Sequence, residues 1–165
     1  PGKMLRQYGR RGPDLYWFSE GFTEFVTHWL LEDSGIKPAG HLLRELTKAQ
    51  QRLAVIAAPE RYAILLQRFH RDAAANRQIY DRGFLLAARW DQQITCQSGG
   101  TRSLRDALRS LLTGDADSRA ALDVQTIEPM LTKAGVVSFA RDIDRYADHG
   151  EAPIVSEILT SQCRS

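Results

Sequence analysis

The chain has 165 residues, 43% hydrophobic and 25% charged, which suits one globular domain with a sizeable core. Its formal net charge of +2 is too mild to point to nucleic acid, and no apolar run approaches the roughly 18 residues that a membrane span needs. Two cysteines, Cys96 and Cys163, stand far apart without a CxxC, so there is neither a disulfide framework nor a thiolate metal site; a single Cys96–Cys163 bridge, and with it the compartment, stays open.

The basic opening stretch, PGKMLRQYGRRGP, reads as a solvated lead-in over residues 1–13. It lacks an initiator Met, so the chain looks like a piece of something longer. Helical periodicity then takes over. Phe18, Phe22, Phe25, Val26, Trp29 and Leu30 share one face of a first helix, with Gly35 as its stop and Pro38 in the first turn of the next. That second helix aligns Leu42, Leu43, Leu46, Ala49, Leu53 and Ile56 and ends before Pro59. Glu60 to Phe69 predicts a short helix, and HRDAAANRQ a polar connector.

A longer helix is expected from Ile79 to Thr95, burying Phe84, Leu85, Ala88 and Ile94 and ending at QSGG. Ser103 opens the next with the capping-box-like pattern SLRD. After the polar loop TGDADSRAALD, a short helix through Ile127, Met130 and Leu131 stops at Gly135. Ser138 then caps a final helix carrying Phe139, Ile143 and Tyr146, stopped by Gly150. GVVSF is the one short strand candidate. The expectation is a single all-α domain over residues 1–165, of about six to eight helices. Phe22, Phe25, Val26, Trp29, Leu46, Phe84, Leu108 and Ile143 are its expected core.

Chemistry is sparse in this pattern. The four histidines, His28, His41, His70 and His149, form no HxxxH pair, and surface or core roles outweigh metal ligation for each. His28 lies eight residues past Glu20, about 12 Å along a straight helix, too far for both to hold one ion. QSGG and YGRRG lack the preceding strand and the Lys-Ser/Thr of a phosphate loop, and there is no GxSxG. The pairs Asp142/Asp144 and Asp115/Asp117 read as solvated surface. One residue stands out. Glu20 follows Trp17 and Phe18 in a helix bound for an apolar interior, where it either complements the dipole of the first turn or faces something cationic.

The segment YWFSEGFTEF resembles the E-G-F-T helix of gluzincin zinc peptidases, closest to the glycyl-aminopeptidase family. Glu20, Gly21, Phe22 and Thr23 match as they stand, and Phe25 fills a position where an aromatic is usual. IYDRGFLLAARWDQQI is similar to that family's Y-x-K-G helix start, with Tyr80 and Gly83 matching, Arg82 in place of Lys, and Ile79 where a second Tyr is common. SFARDIDRYADHGEAPI is similar to its closing helix. The three similarities run in order over about residues 14 to 155.

The resemblance implies that Glu20 is the third ligand of a catalytic zinc. Such a zinc takes three protein ligands and keeps one position open. It implies too that Tyr80 is a phenol donor polarising the scissile carbonyl of a peptide substrate. The two histidine ligands and the general base come in that family from an HExxH just upstream of E-G-F-T. Only 19 residues precede Glu20 here, and none carries it. The chain is thus expected to be the helical, carboxy-terminal part of a zinc-dependent aminopeptidase-like catalytic domain. Its partner is an upstream HExxH-bearing part of the same protein. Zinc belongs to that full-length parent, and the chain alone is expected to be inactive without tightly bound metal. The alternative is a non-catalytic helical interaction module derived from the same fold.

Overall fold

The computed structural model describes residues 15–113 and 123–160. The expected lead-in, most of the TGDADSRAALD loop with Asp115 and Asp117, and Cys163 lie outside them. Cys96 has no free thiol and is disulfide-bonded. Every regular element among the described residues is helical, as expected: α1 (Tyr16–Asp33), α2 (His41–Ala54), α3 (Tyr62–Arg68), α4 (Ala73–Gln97), α5 (Leu104–Thr113), α6 (Val124–Ala134), α7 (Phe139–Asp142) with a π-helical continuation (Ile143–Asp148), and α8 (Val155–Thr160). GVVSF forms a turn and the start of α7, not a strand. No helix among the described residues is long and apolar enough to cross a membrane.

The punctuation residues act mostly as their chemistry demands. Gly35 takes φ 72°, and the N–H of Lys37 reaches the Leu31 carbonyl at 2.8 Å, closing α1. Pro38 falls in the turn and not in α2, because Glu32 reaches over from α1 instead. Its carboxylate accepts the N–H groups of Gly40 and Leu42, both at 2.8 Å, and fixes the start of α2. Those two bonds also hold the Glu32 carboxyl below its usual range. The connector HRDAAANRQ proves largely helical. Asp72 accepts from the N–H groups of Ala74 and Ala75, at 2.9 and 3.2 Å, so α4 begins at Ala73. Three alanines after a capping aspartate are a good helix start, and their lack of apolar periodicity concealed it.

α4 is the central element, with every residue from Asp81 to Ala88 buried, and α1 packs along it. Of the expected core, Phe22, Phe25, Leu46, Phe84 and Ile143 are buried, and Val26 and Leu108 pack half-buried against them. Trp29 is a correction. It lies at the border of the apolar stripe, half-buried, with the Arg105 guanidinium 3.1 Å from its ring centroid.

Asp142 is a second correction, for it is fully buried and not solvated. One oxygen accepts from Arg89 (3.0 Å), the Trp90 indole (3.1 Å), Gln93 (3.2 Å) and Ser138 (2.5 Å), which pins α7 to α4. Ser138 therefore gives its hydroxyl to Asp142 and makes no side-chain cap.

α1 and α4 meet where two glycines face each other. A Cβ on Gly83 would stand 1.7 Å from the carbonyl oxygen of Trp17, and one on Gly21 would stand 2.4 Å from the Cα of Gly83. No side chain fits there. The two backbones touch, and this contact sets which polar residues flank the crossing.

Candidate functional site

Glu20 immediately precedes Gly21, Tyr80 stands three residues before Gly83, and the crossing brings the two side chains together. The Tyr80 hydroxyl donates to Glu20 Oε2 at 2.6 Å, between residues 60 apart in sequence. Both side chains are half-buried. The hydrogen bond to the carboxylate, then burial, then the Glu20 charge push the phenol up to about 12. Glu20 is the fifth residue of α1, and the first turn of α1 contains no acid. A dipole-complementing role at the helix start thus does not account for it.

Aromatic rings form one wall. Tyr16 stacks on Phe69 at 4.1 Å, and the Phe69 ring lies parallel to that of Tyr80 at 6.4 Å. His70 meets Tyr16 edge-on, with its Nε2 at 3.3 Å from the Tyr16 hydroxyl.

Beside the pair runs a chain of alternating charges. Arg52 binds Asp81 through two nitrogens, at 2.8 and 2.6 Å. Arg77 bridges Asp81 (2.9 Å) and Glu24 (2.6 Å) and lies 5.4 Å from the centroid of the Tyr80 ring. Asp81 is only 1% exposed, so both arginines offset the cost of desolvating it. The network ties α2, α4 and α1 together and fixes the ring that presents the hydroxyl.

Arg82, where the resemblance calls for Lys, does not face this site. It is wholly buried, donating to the carbonyls of Glu60 (2.7 Å), Ala147 (3.2 Å) and Asp148 (3.4 Å). A forked guanidinium can hold three carbonyls from two segments, which a single ammonium point does less well. Gly150 closes over it at φ 75°, where a Cβ would stand 2.3 Å from a guanidinium nitrogen.

Sequence reading singled out one residue on each helix and passed over the rest. Tyr16 and Glu24 share a stripe with Glu20 at four-residue spacing, and Arg77 stands three residues before Tyr80. That spacing was the signal available for them. Phe69 and His70 had none, since they come from a separate short segment.

Two of the other histidines, His28 and His41, pair elsewhere. His28 Nδ1 and His41 Nε2 lie 3.0 Å apart, with Glu24 at 3.8 Å from the other nitrogen of His28. Burial, partly countered by Glu24, holds His28 below its ordinary 6.5. The folded protein then binds a proton there less readily than the unfolded chain does. The stability involved is present above pH 6.5 and lost as pH falls through the lower folded value. Thermal melts between pH 7 and 5 should show this decline, and His28→Gln should flatten it. Equal slopes for both proteins would assign the decline to other groups.

Among the described residues no group of three or more His, Cys, Asp or Glu side chains is placed to hold a metal ion. Glu20 offers one carboxylate donor from a packed helix, and a three-ligand zinc site would need its other donors from outside the described residues. Comparison of the chain with protein-family models, curated proteins and solved structures finds no match.

Proposed function

We propose that this chain is the helical part of a zinc-dependent aminopeptidase-like catalytic domain, in which Glu20 is a metal ligand and Tyr80 a carbonyl-polarising donor. The observation that carries this reading is the 2.6 Å hydrogen bond between Tyr80 and Glu20. Two residues chosen separately, from motifs 60 positions apart, share one half-buried site, and the glycine of each motif stands in the backbone crossing beside it.

Zinc, when bound, supplies a Lewis acid beside the peptide carbonyl. The chain's own residues do the positioning. Glu20 offers its carboxylate from the second turn of a packed helix, held by the Tyr80 hydroxyl, so its direction is set before any ligand arrives. Tyr80 donates its proton in a hydrogen bond to the substrate oxygen on which negative charge grows. Phe69 and Arg77 hold the phenol ring, and the aromatic wall excludes water from one side of it.

The test needs the parent protein carrying an upstream HExxH. It should bind one zinc per chain, and Glu20→Gln should weaken that zinc by at least about tenfold while the circular dichroism spectrum stays unchanged. Unchanged zinc affinity would remove Glu20 from the site. A parent without HExxH would leave the non-catalytic helical module as the reading.

A further inference from the structure

About two turns along α1 from Glu20 lies the histidine pair, and polar side chains run from it to Tyr80 without a break. His28 Nδ1 and His41 Nε2 stand 3.0 Å apart where α1 meets α2. Glu24, one turn before His28, places one carboxylate oxygen 3.8 Å from His28 Nε2 and accepts from Arg77 at 2.6 Å through the other. Arg77 lies 5.4 Å from the centroid of the Tyr80 ring, and the Tyr80 hydroxyl reaches Glu20 at 2.6 Å. Glu24 is thus shared between an imidazole and a guanidinium.

At 3.0 Å one hydrogen fits between the two facing nitrogens, and two do not. The neutral pair therefore shares a single N–H. A proton taken up by His28 makes both its nitrogens donors, so that Nε2–H faces Glu24. The cationic ring then competes with Arg77 for one carboxylate and repels the guanidinium as well. The His28 and Glu24 side chains are only 21% and 18% exposed, so salt and water screen this competition in part. Arg77 keeps Asp81 at 2.9 Å and can turn about that contact. The charged groups facing His28 are Glu24 on its own helix, His41 and Glu45 on α2, and Arg77 on α4, where Phe84 also meets its ring at 5.5 Å.

We propose that His28 and His41 form a pH-sensitive switch that reaches Tyr80 through Glu24 and Arg77, so that the Tyr80–Glu20 pair is held in neutral solution and loosened in mild acid. With His28 neutral, Glu24 and Asp81 together hold Arg77 beside the phenol ring. With His28 charged, Glu24 turns to the imidazole and the ring loses that support. The coupling rests on these contacts alone. Its effect on catalysis rests on the zinc-peptidase reading, so the coupling is best read without activity.

The test uses the 165-residue chain and aromatic heteronuclear NMR between pH 7 and 5, with Tyr80→Phe and His28→Gln assigning the two rings. The Tyr80 ring resonances should move with the midpoint of the His28 titration, below 6.5. In His28→Gln that step should vanish. In Glu24→Gln, His28 should still titrate while Tyr80 no longer follows, a separation that a purely structural role would not produce. If Glu24→Gln fails to fold, Arg77→Lys breaks the same link, because an ammonium cannot fork between Glu24 and Asp81 as the guanidinium does. His70, the imidazole beside Phe69, supplies the control, and His70→Gln should leave the Tyr80 step in place. A Tyr80 ring that stays fixed while His28 titrates would overturn the proposal, whichever variants fold. So would a step that survives His28→Gln or Glu24→Gln, or one that disappears with His70→Gln.

Discussion

Gly83→Ala is expected to lower the melting temperature by about 10 °C, corresponding to a loss of about 3 kcal/mol in a chain of this size. In an exposed helix the same change would stabilise, by up to about 1 kcal/mol, because alanine is the better helix former. Position 83 reverses that sign. The added Cβ would lie 1.7 Å from the Trp17 carbonyl oxygen, an atom of the α1 backbone that no rotamer change can move aside. α1 must shift bodily, which opens the packing of Trp17, Phe22 and Phe25 against α4. Gly21→Ala should act in the same direction, since its Cβ would stand 2.4 Å from the Gly83 Cα. A thermal melt of each variant decides the matter. An unchanged or raised midpoint for Gly83→Ala would show that the helices do not cross this closely.

Tyr80→Phe is expected to reduce kcat by about a hundredfold in a parent that carries HExxH, with KM little changed. Only a hydroxyl is removed. The phenyl ring keeps its place beside Phe69 and under Arg77, so the fold should hold. The hydrogen bond to Glu20 goes, at a stability cost of about 1 kcal/mol, because the carboxylate is half-exposed and water can replace the donor. The kinetic loss should exceed this, because a donor aimed at developing charge acts mainly in the transition state. Steady-state kinetics with a short peptide substrate, alongside zinc content, checks the expectation. If kcat is unchanged while stability falls, the Tyr80–Glu20 bond is only a tie between α1 and α4.

Helical class, most helix ends and most of the core were legible in the amino-acid sequence, because each rests on neighbours three or four residues apart. Apolar spacing marked Phe22, Phe25, Leu46, Phe84 and Ile143, and Gly35 and Gly135 ended their helices as their tolerance of positive φ allows. The start of α4 at Ala73 was missed, since a cap followed by alanines carries no periodic signal.

The tertiary structure alone decided which faces meet. A buried charge must find partners wherever the fold supplies them, so Asp142, read as solvated, gathers Arg89, Trp90, Gln93 and Ser138 from two separate segments. Arg82 is buried for the same reason, against carbonyls of Glu60, Ala147 and Asp148. Trp29 belongs by periodicity to the core stripe, yet it stays half-buried, with the Arg105 guanidinium against its ring in place of a covering apolar side chain. Glu20 and Tyr80 could be chosen singly from sequence motifs, but their meeting depends on two glycines 62 positions apart, Gly21 and Gly83, letting two backbones touch. Local spacing writes helices into a sequence. Close packing and the satisfaction of buried charge select their arrangement, and these act between residues that no local pattern connects.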